Sequence, residues 1–366
     1  MAGETEGHRY LALDQPIRTG LRVASWLTSR AVNRTWSWKP FCCAGIAKAF
    51  STSKAIAKLT QAPTTFPPAV RHAIEVQLAV PCIALRPLTG GTNNRTFLAA
   101  YRDRSWIVRV EAAGGVQLRR ACNAQMLAQQ AGVATPEIVA AHVEVDQAEQ
   151  YSWMVEERIA GVHFEPMAFE PADRHALAFD LGQQLRKLHT VAVDAFGIMP
   201  PDPWDRNQRS LAAWLDRETA RIGRAIGLAG MPPGTLASIA EVYAFLRDGS
   251  VDRPRLCHGD CATSNILVHQ GRVVALIDWE WAKGGDPAAS IAYWAFWQDD
   301  LVALDALLAG YQAEQPSQFR ARVLAYRVVT AIELISVYAE HGGPADIRFC
   351  RGKLEAALRG CLWAKE

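Results

Sequence analysis

Hydrophobic and polar positions along the chain change their period near its middle. Thr96–Tyr101 and Ser105–Val110 are short runs rich in β-branched and aromatic residues, separated by Arg102-Asp103-Arg104, and they predict a hairpin. Gln117–Ala131 reads as a helix stopped by Gly132, with Pro136 just beyond. Tyr151–Ile159 is a further strand, ended by Gly161. From Pro171 onward the period becomes helical. Leu177, Leu181, Leu185 and Leu188 form one apolar face of a helix over 172–188. Further helices are predicted over 210–225, 235–246 and, as a helical tail, 288–362. A strand pair, 266–268 and 273–278, interrupts them. The pattern predicts an α+β chain with a small β-rich lobe over 80–160 and a larger helical lobe over 161–366, joined near Glu156–Gly161.

Composition changes the picture mainly at the N-terminus. Between Pro16 and Ile74 there is no Asp or Glu, while nine Lys and Arg residues occur there. Residues 1–79 are therefore read as a basic, acid-poor and poorly ordered extension. A transit-peptide-like composition or a basic arm are the alternative readings. The whole chain has a formal net charge of +2, which conceals this stretch and leaves the remainder net acidic. Such a balance does not argue for nucleic acid or membrane as a partner, and no apolar run reaches spanning length. The eight cysteines include no CxxC pair, so reduced thiols in a cytoplasmic protein are the expectation.

The stretch with the most chemistry is Leu256–Val268, containing His258-Gly259-Asp260 and Asn265, followed by Ile277-Asp278-Trp279-Glu280. Asp260, Asn265 and Asp278 are all oxygen donors. Phosphoryl transfer needs such a set: a carboxylate to orient a hydroxyl, and hard oxygen ligands for a divalent cation on the phosphates. Upstream, the adjacent Gly90 and Gly91, with Asn93, allow a backbone to approach phosphate oxygens, although a plain tight turn has the same composition.

The HGD-x4-N-IL and IDWE segments, with Ala282–Pro287 downstream and Leu-Arg-Lys-Leu-His at 185–189, resemble the aminoglycoside phosphotransferase and choline kinase superfamily. The likeness covers about residues 83–340. Its second half is similar to the hygromycin phosphotransferases. The Leu88–Phe97 segment is also similar to the bacterial choline and thiamine kinases. The resemblance implies a protein-kinase-like bilobal fold using ATP and Mg²⁺. It makes Asp260 the catalytic base, His258 the support of its loop, and Asn265 and Asp278 the metal ligands. It assigns the phosphates to the Gly90-Gly91 loop and to Arg109, where related kinases carry a Lys. Adenine falls against the backbone of Glu156, Glu157 and Arg158, although Glu156 and Glu157 read equally as an exposed charged pair.

One departure stands out. Kinases pair the phosphate-binding cation with a Glu on the following helix. The helix from Val116 to Ala131 has no acid, and Asn123 is the polar residue placed nearest that position. For the acceptor, Glu280, Trp281, Asp299 and Glu333 are the candidates, since aromatic and carboxylate groups suit a cationic small molecule. An aminoglycoside-type acceptor is expected first. Choline, ethanolamine, thiamine or a sugar is the alternative, and a catalytically weak nucleotide-binding protein of the same fold is a second.

Overall fold

A computed structural model describes residues 66–361, except 82, 89–94, 113–115, 144–150, 166–167, 200–209, 250, 252 and 299–300. The small lobe opens with helix α1 (Pro68–Leu78). A five-stranded antiparallel sheet follows, built from β1 (Ala84–Pro87), β2 (Arg95–Tyr101), β3 (Arg104–Ala112), β4 (Ile138–His142) and β5 (Tyr151–Glu157). Their spatial order is β1-β2-β3-β5-β4, and helix α2 (Gln117–Gln130) links β3 to β4. The β2–β3 hairpin turns at Arg102, which takes a left-handed φ of 55°, with Arg95 facing Val110 and Tyr101 facing Arg104.

Side chains alternate along β3 with the period of two that a strand imposes. Trp106, Val108 and Val110 enter one apolar core with Phe97, Ala99, Trp153 and Val155, so Arg109 must face the other way. Val70 and Ile74 of α1 fill the same core, and Phe66 meets Phe97 edge to face at 4.7 Å. The lobe thus starts before residue 80. The basic composition of 1–79 masked an i, i+4 apolar pair that belongs to this core, and the part of that extension before residue 66 lies outside the described residues.

The large lobe contains α3 (Pro171–Leu188), α4 (Leu211–Ala229), α5 (Thr235–Asp248), α6 (Pro287–Trp297), α7 (Leu301–Tyr311), α8 (Pro316–His341) and α9 (Pro344–Gly360). Two short antiparallel sheets sit among them. One has the order β10-β9-β6, from β6 (Val162–His163), β9 (Ile266–His269) and β10 (Arg272–Leu276). The other has the order β7-β11-β8, from β7 (Gly197–Ile198), β8 (Arg255–Cys257) and β11 (Lys283–Gly285). The expected helical tail is built of four helices, and the strand expected over 273–278 ends at Leu276.

Leu177, Leu181, Leu185 and Leu188 are fully buried, as their spacing predicts. Capping is local: Ser210 Oγ accepts from Ala213 N at 3.1 Å, and Asp286 from Ala288 N at 2.9 Å. The fold is therefore α+β and bilobal. No described helix is long and apolar enough to cross a membrane.

Candidate active site

The segment carrying His258-Gly259-Asp260 leaves β8 at Cys257. Gly259 takes φ 84°, and a Cβ there would stand 1.7 Å from the carbonyl oxygen of Trp281, so only glycine fits. His258 before it is buried. Its Nε2 donates to the Ile277 carbonyl at 2.9 Å, and its Nδ1 accepts from Asp260 N at 3.4 Å, a tautomer assigned from the network. The ring lies 4.4 Å from that of Trp279. Burial pushes the imidazole down to about 4, beyond what the Asp278 charge and its backbone bonds restore, so it is neutral at pH 7.

Asn265 closes the other side of the loop. Its Nδ2 donates to Asp260 Oδ2 at 2.9 Å and to Asp260 O at 3.0 Å. Ile277 N in turn donates to Asn265 O at 2.9 Å. The segments carrying Asp260 and Asp278 are thus one hydrogen-bonded unit. Burial raises the Asp260 carboxyl above its ordinary value, and the Asp278 charge adds to this. Hydrogen bonds from Tyr293 and Asn265, together with the Lys283 charge, act against the rise.

Asp278 leaves the end of β10 with φ 69°, in the left-handed region where a non-glycine residue is uncommon. This turns its carboxylate, 36% exposed, into the cleft, where Oδ1 accepts from Arg109 Nη1 at 3.1 Å. Arg109 also donates through Nε to Glu156 Oε2 at 2.9 Å and through Nη1 to Glu280 Oε1 at 3.3 Å. Burial disfavours its charge, but Glu156, Asp278 and Glu280 outweigh that and hold the guanidinium above its usual value. Gln125 of α2 completes the cluster, with Nε2 2.8 Å from Glu156 Oε1 and 2.9 Å from the Pro136 carbonyl.

These contacts change several expectations. The carboxylate partners of Arg109 come from β5, from Asp278 and from the turn after it. The α2 residue that reaches the cluster is Gln125, through Glu156, in place of Asn123. Glu156 is 2% exposed and paired with Arg109, so it is not half of an exposed charged pair. Glu157 and Arg158 are exposed, but Glu157 N donates to the Glu137 carbonyl at 2.8 Å, leaving Arg158 as the first residue beyond the ladder. Glu280, expected among the acceptor residues, is buried and paired with Arg109. Trp281 is 43% exposed. Gly90, Gly91, Asn93 and Asp299 lie outside the described residues.

The far side of Asp260 is built from helices. Tyr293 of α6 hydrogen-bonds the Asp260 carboxylate; burial, then that charge, then Glu333 of α8 lift its phenol well above the ordinary value. Glu218 of α4 is raised by burial and by Glu333, against the charges of Arg221, Lys283 and Arg217. Tyr293, Lys283 and Glu218 were not singled out from sequence. Tyr293 lies in the Ala-Tyr-Trp-Ala-Phe-Trp run of α6, where an apolar helix face hides its hydroxyl. Trp294 is core and Trp297 half-buried; Trp297 meets Tyr293 edge to face at 6.3 Å and stacks on Phe349 of α9 at 6.0 Å.

A kinase-like two-lobed fold with an HGD loop, an Asn and a strand-end Asp at one cleft defines a class of phosphotransferases. The chain belongs to the phosphotransferase enzyme family, whose sequence model matches residues 84–323. Among curated proteins, the hygromycin-B 4-O-kinase of Escherichia coli is 26% identical over 127 residues, 34% of this chain and 37% of that protein. The acyl-CoA dehydrogenase family member 11 of Gallus gallus is 24% identical over 241 residues, 61% of this chain and 29% of that protein. The matches thus span about a third of these relatives' length. Among solved structures, a thermostable mutant of aminoglycoside phosphotransferase APH(4)-Ia, in ternary complex with ADP and hygromycin B, superposes with a TM-score of 0.60. It is 17% identical, and the match covers 80% of this chain and 98% of that one. A Thermobifida fusca structure assigned as a fructosamine-3-kinase gives a TM-score of 0.56 at 19% identity, covering 80% and 100%. At these identities the likeness shows the shared fold.

Proposed function

We propose that this chain transfers the γ-phosphoryl group of ATP to a hydroxyl of a small cationic molecule of the aminoglycoside type. The observation that carries the reading is the single unit joining Asp260, Asn265 and Asp278, with Arg109 facing it from the other lobe. Asp260 orients the acceptor hydroxyl and takes its proton as the phosphoryl group leaves ADP. Arg109 holds phosphate oxygens against Asp278. With a loose transition state, positioning and charge neutralisation dominate over strong base catalysis, which suits a carboxylate fixed by two neighbours.

The residues present fit Mg²⁺. The Asn265 amide nitrogen is engaged by Asp260, so its oxygen is the free end, and the Asp278 carboxylate is open to the cleft. Two hard oxygens plus phosphates and water are the usual protein share of such a site. Asn265 and Asp278 would hold the ion, which would neutralise charge on the phosphates.

The cationic acceptor is supported by Glu333, whose charge acts on both Tyr293 and Glu218. A choline-type acceptor is the second reading, favoured by the aromatic series Tyr293, Trp297 and Phe349. The catalytically weak reading drew on the acid-free α2 helix, and it loses that support because Glu156 and Glu280 pair with Arg109. ADP release with aminoglycosides, choline, ethanolamine, thiamine and sugars tests the proposal. Turnover confined to polyamino sugars is expected. Turnover of a neutral sugar alone would overturn the acceptor class, and no nucleotide binding would overturn the whole reading.

A further inference from the structure

Helix α2 carries no carboxylate, yet it is firmly tied to the large lobe. The tie is Arg120, half-buried in the first turn of the helix. Its Nη1 donates to the main-chain carbonyl of Glu280 at 2.9 Å, and its Nε donates to the main-chain carbonyl of Met199. Glu280 stands two residues after Asp278, and Met199 directly follows β7. The two acceptor segments are themselves joined, because Met199 N donates to the Ala282 carbonyl at 2.9 Å, and Ala282 N to that of Trp279 at 3.0 Å. A guanidinium is suited to this place: its planar fork can reach two carbonyls from different segments at once.

The same helix is anchored at its start. The Glu111 carboxylate accepts from Leu118 N at 2.9 Å and Gln117 N at 3.3 Å, filling donors that a helix leaves open at its N-terminus. Glu111 is two residues past Arg109 on β3. The chain of contacts therefore runs from β3 through Glu111 to α2, and from α2 through Arg120 to the turn after Asp278. Its two ends are the strand that carries Arg109 and the turn that carries Asp278.

We propose that Arg120 is a positioning residue that straps α2 to the Asp278 turn and, with Glu111, sets the spacing between Arg109 and Asp278. It does for this chain what a carboxylate on the same helix does in kinases of the Lys–Glu type. The proposal rests on the reading of Arg109 and Asp278 as the phosphate and metal residues.

The test uses the full chain carrying Arg120→Met or Arg120→Lys, with hydrogen exchange as its first readout. Arg120→Met is expected to raise exchange at the Met199 and Ala282 amides about tenfold, with α8 unchanged. It should also raise KM for Mg·ATP about tenfold, with a much smaller change in the acceptor KM. Arg120→Lys keeps a donor for one carbonyl and should fall between wild type and Arg120→Met. If Arg120→Met fails to fold, the lysine variant carries the same comparison at smaller amplitude. Unchanged exchange at both amides, or exchange that rises only within α2, would overturn the strap. Neither exchange readout needs an acceptor, so a chain that phosphorylates nothing on the panel would sink the proposed function while leaving the strap standing or falling by itself.

Discussion

The two sides of the cleft treat charge in opposite ways. On the side proposed for the nucleotide, one buried guanidinium, Arg109, faces Glu156, Asp278 and Glu280 at 2.9–3.3 Å, and Gln125 satisfies the remaining oxygen of Glu156. On the side proposed for the acceptor, Glu333 acts on both Tyr293 and Glu218, Tyr293 hydrogen-bonds Asp260, and Lys283 is the nearby cation that acts on both Glu218 and Asp260. The first cluster is held together by its own cation and belongs to the folded state. In the second, burial raises the proton affinity of Asp260, Glu218 and Tyr293, and neighbouring carboxylates add to it. On the proposed function, the difference separates the residues of turnover from those that select the acceptor.

The comparison can be broken most severely at Asp260. Asp260→Asn should lower kcat about 10²–10⁴-fold while leaving Mg·ADP affinity near wild type, the range expected for loss of a positioned base. Retained turnover in a single-turnover assay would show that Asp260 is not the base. Arg109→Met comes next. It strands three carboxylates around an apolar side chain, so a stability loss of about 3–5 kcal/mol is expected in denaturant melts. Melting at the wild-type midpoint would mean that the cluster contributes nothing to the fold.

A third experiment separates burial from function by using a histidine away from both sides. His189 is buried beside Tyr311, with Nδ1 3.1 Å from the phenol oxygen and Nε2 unpartnered, and burial pushes it down to about 3. Because the unfolded histidine, at about 6.5, binds the proton that the folded one refuses, stability is full above pH 6.5 and falls as pH drops toward 3. Between pH 6.5 and 5 this one group should cost about 2 kcal/mol, at 1.36 kcal/mol per unit. His189→Asn should remove that part of the slope in melts across this range; an unchanged slope would place the acid sensitivity elsewhere. The smallest effect is expected from Glu333→Gln, which should raise KM for a cationic acceptor about tenfold and leave KM for ATP alone. Equal changes in both would erase the division between the two sides.

How much of this was visible in the sequence follows from how far apart the partners lie. His258, Gly259, Asp260 and Asn265 fall within eight residues, so one motif carries them all, and Asp278 follows at the end of an apolar run. The β2–β3 hairpin and the leucine face of α3 were legible for the same reason: period is a local property. Glu156 and Arg109 are 47 positions apart, and Arg120 and Glu280 are 160 apart. Nothing in Met-Val-Glu-Glu-Arg says which of two adjacent acids turns inward. On a strand it must be one of them, and the buried one is Glu156. Glu280 was misplaced because its neighbours in sequence are tryptophans, whereas its neighbour in space is an arginine of the other lobe. Helix α1 was missed because the basic, acid-free composition around it outweighed the single turn linking Val70 to Ile74.

The close approach of Gly259 to the Trp281 carbonyl has a consequence for how such a protein can diversify. The segments carrying Asp260 and Asp278 are held by main chain against main chain, by Asn265 and by the buried His258. Side chains on α4, α8 and α9 can therefore be exchanged as a separate set, without renegotiating the reaction centre. A library that varies positions 218, 333 and 349 while keeping 258–260 and 278–282 fixed is the natural place to look for new acceptors. Heredity would find the same route, since drift in one set leaves the other intact.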